Sequence, residues 1–79
     1  MSLLKIEMDL IVENVENPME DIADLLHENG LINVKQEIVS QNGPAGWPVF
    51  RFTGTKAELE KLVEITTGGN EELETFLIS

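Results

Sequence analysis

Apolar and polar residues alternate along the first part of the chain. In "LLKIEMDLIVE", residues 3–13, every second side chain from Leu4 to Val12 is apolar, and most of those between are charged. A period of two is typical of a strand that buries one face. Ile11 breaks the pattern, because it is an apolar residue on the polar face. We therefore predict a half-buried strand whose inner face consists of Leu4, Ile6, Met8, Leu10 and Val12.

Two later segments have the apolar spacing of amphipathic helices. The first begins at Asn17 as the N-cap, has Pro18 in the first helical position and stops at Gly30. The second opens on a capping box formed by Thr55 and Glu58. The predicted buried positions are Met19, Ile22, Ala23, Leu25 and Leu26 in the first helix, and Leu59, Leu62 and Val63 in the second.

Three further segments predict strands. "LINVKQEIVSQ", residues 31–41, places Val39 outward with the charged side chains, and "WPVFRFTG", residues 47–54, alternates around an outward Arg51. "LETFLIS", residues 73–79, is short and apolar enough for a last strand. The inward residues of the second and third strands are predicted to be Ile32, Val34, Ile38, Phe50 and Phe52.

The order of these elements is β-α-β-β-α-β within 79 residues. Right-handed crossovers turn that order into a split βαβ arrangement. We predict an α+β fold of the ferredoxin-like class, a single domain over residues 1–79. Its four-stranded antiparallel sheet has the strand order 4-1-3-2, and both helices cover one face. Its core is predicted to join Phe50 and Phe52 to Ile6, Met8, Ile22, Leu26, Leu59 and Leu62.

The stretch "QNGPAGWPVF", residues 41–50, connects the second and third strands and contains the only tryptophan. Asn42-Gly43 is a strong turn dipeptide, and Pro48 cannot donate a ladder hydrogen bond. If the hairpin is regular, Arg51 lies between Glu37 and a carboxylate of the first strand. The predicted opposed pairs are Glu37 with Arg51, Val39 with Val49, and Gln41 with Trp47.

The sheet face turned away from the helices is the predicted interaction surface. A solvent-exposed face should be polar, yet several apolar residues fall on it and the hairpin register gathers three of them. Trp47 is open to three interpretations: it covers the end of the sheet or the loop backbone, it contacts a protein, or it contacts a small ligand. The predicted interface residues are Ile11, Val39, Trp47, Val49 and Arg51.

Composition limits the partners that this surface could have. Fifteen acids against five bases give a net charge of −10, which disfavours direct binding of nucleic acid because phosphate contacts need a basic footprint. The charge is compatible with a basic protein partner. Without cysteine, the chain forms neither disulfides nor thiolate metal sites. With no signal-like segment and no apolar run of membrane-spanning length, we expect a soluble cytoplasmic protein that does not bind membranes.

Residues for catalysis are sparse in the sequence. The single histidine, His27, falls on the flank of the first helix, and the serines have no spacing that would pair one with it. The carboxylates fall on solvated faces, and the glycines form no phosphate-binding motif. We therefore expect a protein that is not an enzyme, with no catalytic residue, metal ligand or cofactor.

The segment "VENPMEDIADLLHENGLINVKQEIVS" resembles the ACT domain, a small regulatory module. The matching positions are Pro18, Ile22, Ala23, Leu26 and Gly30, about a third of the chain taken with the strands beside them. The resemblance implies binding of an amino acid at a dimer interface. "GWPVFRFTGT" also resembles a hairpin of small phage or bacterial proteins, which implies no function.

Three functions are consistent with these features. We expect a small acidic interaction domain that self-associates, as a homodimer, through the open sheet face. One alternative is an ACT-like module that binds a small ligand such as an amino acid. The other is an acidic decoy that occupies a basic, nucleic-acid-binding protein.

Overall fold

The computed structural model describes residues 2–78. It contains four strands and two helices in the predicted order, together with one 3₁₀ turn at Leu73–Thr75. No helix within the described part of the chain is both long and apolar enough to cross a membrane. The elements are β1 (Leu4–Asp9), α1 (Pro18–Glu28), β2 (Lys35–Ser40), β3 (Val49–Gly54), α2 (Lys56–Thr67) and β4 (Leu77–Ile78).

The four strands form one antiparallel sheet in the order β2-β3-β1-β4. Read from the other edge, this is the predicted order 4-1-3-2, so the α+β architecture and its strand order are confirmed. The two longest ladders both involve β3, which pairs with β1 on one side and with β2 on the other. The third strand is therefore central, and its two side-chain faces determine what each side of the sheet can do.

The core lies between the sheet and the two helices. Phe50 and Phe52 are fully buried, and their ring centroids are 6.1 Å apart in a stacked arrangement. They belong to one buried cluster that receives residues from both helices, so both helices cover the same face of the sheet. The predicted core is confirmed, since that cluster also contains Ile6, Met8, Ile22, Leu26, Leu59 and Leu62.

Helix α1 begins where the sequence predicts, but its N-cap works differently. The Asn17 side chain makes no capping hydrogen bond; its amide nitrogen lies 3.3 Å from a carboxylate oxygen of Glu20 and donates to it. The Asn17 backbone is not in the extended conformation of a usual N-cap, with φ −139° and ψ 71°. Of its predicted buried positions Ala23 is exposed and Met19 and Leu25 are only partly buried, so the contact surface of this helix is narrower than predicted.

The connection between β1 and α1 is held by a carboxylate of the helix itself. The Asp21 Oδ2 atom accepts hydrogen bonds from the backbone N–H groups of Glu13 (2.7 Å) and Asn14 (2.9 Å). Hydrogen bonds to a charged acceptor are stronger than neutral ones. The first turn of α1 therefore fixes the loop that precedes it.

Helix α2 confirms the predicted capping box. The Thr55 side chain accepts a hydrogen bond from the Glu58 backbone N–H, and the Glu58 carboxylate accepts one from the Thr55 N–H. At the other end Gly68 takes a left-handed conformation with φ 69°, which glycine adopts without steric cost. Both ends of this helix are thus determined by local sequence.

The second strand is shorter than predicted, and one of the residues predicted to point inward is exposed. Ile32 is 69% exposed, whereas Leu31 is buried. The chain turns at Gly30, which has φ 71°, and the Val34 N–H then bonds to the Leu31 carbonyl to form a second tight turn. These turns bring Leu31 into the core and leave Ile32 at their outer side, so the strand starts only at Lys35.

The other strands are also shorter than the apolar pattern suggests. Pro48 has no N–H to donate, so the ladder between β1 and β3 ends at the pair Asp9 and Val49. Beyond it, the Leu10 N–H bonds to the Pro48 carbonyl and the chain leaves the sheet. The last strand was predicted from Leu73, but that residue opens the 3₁₀ turn and only two residues pair with β1.

The hairpin register is confirmed in its first half and wrong in its second. Glu37 is opposite Arg51, as predicted. A register shift between Ile38 and Ser40 then places Ser40, and not Val39, opposite Val49. Val39 is the extra residue of a β-bulge. Because the ladder stops there, the predicted pairing of Gln41 with Trp47 is absent from the described ladder.

Truncating either core phenylalanine tests the assignment of the two faces of β3. Phe50→Ala or Phe52→Ala removes a fully buried ring and is expected to lower the free energy of unfolding by about 3–5 kcal/mol. Urea unfolding followed by circular dichroism measures the loss. Thr53→Ala, on the opposite face of the same strand, is the control and should have a much smaller effect. Equal, mild effects at all three positions would contradict this assignment.

Candidate functional site: the open face of the sheet

The face of the sheet away from the helices, here called the open face, carries the outward side chains of the three long strands. Strand pairing arranges these side chains in three rows that run across the strands. The lysine row contains Lys35, Thr53 and Lys5; the middle row contains Glu37, Arg51 and Glu7; the valine row contains the pair Val49 and Asp9, together with Val39, which bulges from β2 beside them.

Arg51 lies at the centre of the open face and joins three strands. Its Nη2 atom is 2.6 Å from Glu7 Oε2, and its Nε donates to the same oxygen at 2.9 Å. Its Nη1 lies 3.4 Å from Glu37 Oε1. The cross-strand placement predicted from the hairpin register is therefore present, with Glu7 as the stronger partner and Glu37 as the weaker, more exposed one.

These contacts act on the charge of Arg51. The hydrogen bond to the Glu7 carboxylate, helped by the charge of that group and of Glu37, raises the pKa of the Arg51 guanidinium above its ordinary value. A cation whose pKa is raised in the fold stabilises it at every pH below the unfolded value. That contribution is lost only as the pH rises through the raised value, far above neutrality.

The open face is electrically neutral although the protein is strongly acidic. Its three cations, Lys5, Lys35 and Arg51, match its three carboxylates, Glu7, Asp9 and Glu37. The remaining twelve acids and two lysines lie elsewhere on the chain, so the net charge of −10 belongs entirely to the helices, turns and loops. Charge patterning thus separates this face from the rest of the surface.

A shallow groove of about 430 Å³ crosses the apolar side of the open face. Val39, which is 45% exposed, and Val49 line it together with Pro44 and Phe76. Pro44 comes from the hairpin loop, and Phe76 comes from the segment before β4, where its carbonyl accepts the Glu7 N–H. The sequence pattern missed these last two residues, since neither lies in a regular element whose face could be read.

The hairpin loop folds back onto the sheet because Gly43 lets it approach closely. A Cβ atom on Gly43 would lie 2.6 Å from Val49 Cγ2 and 2.8 Å from the Trp47 carbonyl oxygen. The Gly43 N–H donates to that same oxygen at 2.7 Å. The loop therefore forms one wall of the groove and half-covers Val49.

Of the five predicted interface residues, only Val39 and Val49 line this groove. Ile11 is 73% exposed, but it lines a different depression beside the helices, together with Leu25 and Ile65. Trp47 is half-buried, and in the described part of the chain its side chain is not among those that form the groove or pack on the core. The structure thus brings together Val39 and Val49, with Arg51 in the adjacent row.

Other depressions on the surface have different chemistry. One of about 610 Å³ beside α2 is lined by five glutamates, yet residues 2–78 contain no group of three potential metal-binding side chains placed to hold an ion. Another, between α1 and β2, contains His27 and Gln36. Gln36 donates its amide N–H to the Met19 carbonyl at 3.2 Å, which ties the edge strand to the helix.

Replacing Arg51 tests its role in balancing the open face. Arg51→Gln leaves Glu7, Asp9 and Glu37 close together without their central cation, so a small drop in melting temperature is expected at low salt. Because salt screens repulsion between exposed carboxylates, the drop should shrink in 1 M sodium chloride. Lys56→Gln, on α2, is the control. A drop of equal size at both salt concentrations would contradict an electrostatic role.

Filling Gly43 tests the folded-back loop. Gly43→Ala places a methyl group against Val49 and a backbone carbonyl, so we expect a loss of about 1–3 kcal/mol in the free energy of unfolding. Emission from the single tryptophan, Trp47, should shift to longer wavelength as the loop moves away. Ala45→Ser at the exposed tip of the same loop is the control. Unchanged stability and emission in Gly43→Ala would show that the loop does not rest on the sheet.

No family model matches the chain, and comparisons with curated proteins and with solved structures find no match either. The pattern around Pro18 and Gly30 that resembles the ACT domain therefore stays a prediction from the sequence.

Proposed function

We propose that this protein is a non-enzymatic interaction domain that self-associates through its open face. The observation that carries the proposal is the neutrality of that face, together with its apolar groove, in a protein of net charge −10. The proposal extends to the fold class, which we assign to the ferredoxin-like group on its element order and strand order.

Electrostatics favours the open face over every other surface for contact between two copies. Two identical proteins of high net charge repel each other, and the repulsion is greatest between faces that carry the excess charge. The helices and loops hold all ten excess negative charges, whereas the open face holds none. Contact through this face keeps the acidic surfaces at the outside, where solvent screens them.

The groove supplies the apolar contact that such an interface needs. Val39 and Phe76 are not fully covered within one chain, and Pro44 is exposed beside them. Apolar side chains on a sheet face without a covering layer often mark an interaction site. A second copy of the chain removes this surface from water by the symmetric pairing that most homo-oligomers use.

The two alternatives predict different behaviour. An ACT-like module would show a rise in melting temperature with an amino acid, because a ligand that binds the folded state stabilises it. An acidic decoy would stay monomeric and bind a cationic protein in a strongly salt-dependent way. The mass of the purified protein therefore separates the self-associating domain from the monomeric decoy, and the response of the melting temperature to amino acids identifies an ACT-like module, which would also be a dimer.

Sedimentation equilibrium over micromolar concentrations is the direct measurement. We expect a monomer–dimer equilibrium in the wild type and a monomer in Val39→Asp, which places a charge in the groove. Ile32→Asp is the control, because Ile32 is a branched apolar residue, more exposed than Val39, in the turn before β2 and away from the open face. Far-ultraviolet circular dichroism verifies that both variants fold.

Two results would overturn the proposal. One is a wild type that stays monomeric at the highest concentration measured. The other is a dimer that Val39→Asp and Ile32→Asp weaken equally, which would locate the contact elsewhere on the surface.

A further inference from the structure

The charges of the open face are ordered along the strands, which gives that face a direction. The lysine row has Lys5 and Lys35 at one end of the strands, and the valine row has Asp9 at the other end. Lys5 and Asp9 are four residues apart on β1, a separation of about 13 Å along an extended strand. Neither takes part in the ion pairs found among residues 2–78, which all involve Arg51.

Symmetry allows two ways to stack this face on a second copy. The twofold axis of a face-to-face dimer lies parallel to the sheets, and when the strands of the two copies are aligned it runs either along the strands or across them. An axis along the strands keeps the row order, so the two lysine rows meet each other and the two aspartates approach. An axis across the strands reverses the row order, so each lysine row meets the valine row of the partner.

We propose that two copies dock open face to open face about an axis across the strands, with Lys5 of each opposite the partner's Asp9. This inference rests on the proposed self-association and adds its orientation. The reversed order pairs opposite charges twice per dimer, whereas the alternative opposes like charges, which is costly across an interface. The middle rows meet near the axis, where Arg51 is already balanced by its own Glu7 and Glu37.

The same orientation also covers the apolar side chains of the valine row. Lys35 lies at the β2 end of the lysine row and Val39 at the β2 end of the valine row, so each Lys35 stem covers the partner's Val39. Long lysine stems pack on apolar surface while their ammonium groups reach solvent or a carboxylate. Thr53 comes opposite the partner's Val49 at the centre, where a methyl group meets a methyl group.

Charge reversal tests the orientation by sedimentation equilibrium of the full chain. Lys5→Glu and Asp9→Lys are each expected to raise the dimer Kd about tenfold, because each reverses two contacts per dimer. The double variant Lys5→Glu/Asp9→Lys restores the opposed charges and should return Kd to near the wild-type value. Lys56→Glu and Glu64→Lys make the same charge changes on α2 and serve as controls.

The outcomes separate the proposed orientation from the proposed self-association. Rescue by the double variant supports the orientation. A dimer in which the open-face reversals behave like the α2 controls, or in which the double variant stays as weak as the single ones, overturns the orientation and leaves self-association standing. A wild type that is monomeric throughout overturns both proposals.

Cross-linking gives an independent readout, because the chain has no cysteine of its own. Facing sheets are about 10 Å apart, too far for a disulfide, so a short bis-maleimide is the probe. A mixture of Lys5→Cys and Asp9→Cys proteins should form covalent dimers, whereas each variant alone should not. Efficient cross-linking of each variant with itself would show the opposite axis and overturn the proposal.

Discussion

The alternation of Phe50, Arg51 and Phe52 on the central strand determines both sides of this molecule. The two rings hold the helices on one face, and the guanidinium between them connects the carboxylates of both neighbouring strands on the other. Because the side-chain period of a strand is two, a slip of one residue would exchange these roles completely. Core and open face are therefore specified together, by one stretch of three residues.

The hairpin loop makes the two ends of the open face unlike each other. Pro48 ends the ladder, Val39 bulges out of it, and Gly43 permits the loop to lie on Val49. At the opposite end the strands continue to Lys35 and Thr53 without interruption. A bulge next to a folded-back loop increases local twist and places side chains where a regular hairpin would not. The groove is a product of this irregularity.

Local pattern was sufficient for the fold because alternation, caps and turn residues all agree with one topology. The pattern failed where tertiary structure determines which of two adjacent residues is buried or where a strand starts. The turns after Gly30 bury Leu31 instead of Ile32, and the 3₁₀ turn takes Leu73 out of the last strand. The position of Arg51 could be predicted, since register follows from the hairpin. The bulge at Val39 could not, because β2 ends at Ser40 and leaves no further residues in which a changed alternation would show.

The separation of charge between the two sides of the molecule has a consequence for its motion in solution. The sheet face is neutral and the excess negative charge lies on the helices, turns and loops, so the negative charge of each chain is displaced away from the sheet face. In the field of a cationic surface such a molecule experiences a torque before it makes any contact, and the torque turns the acidic side, which includes α1, toward that surface. A cationic surface therefore meets the acidic side of the molecule first and the open face last.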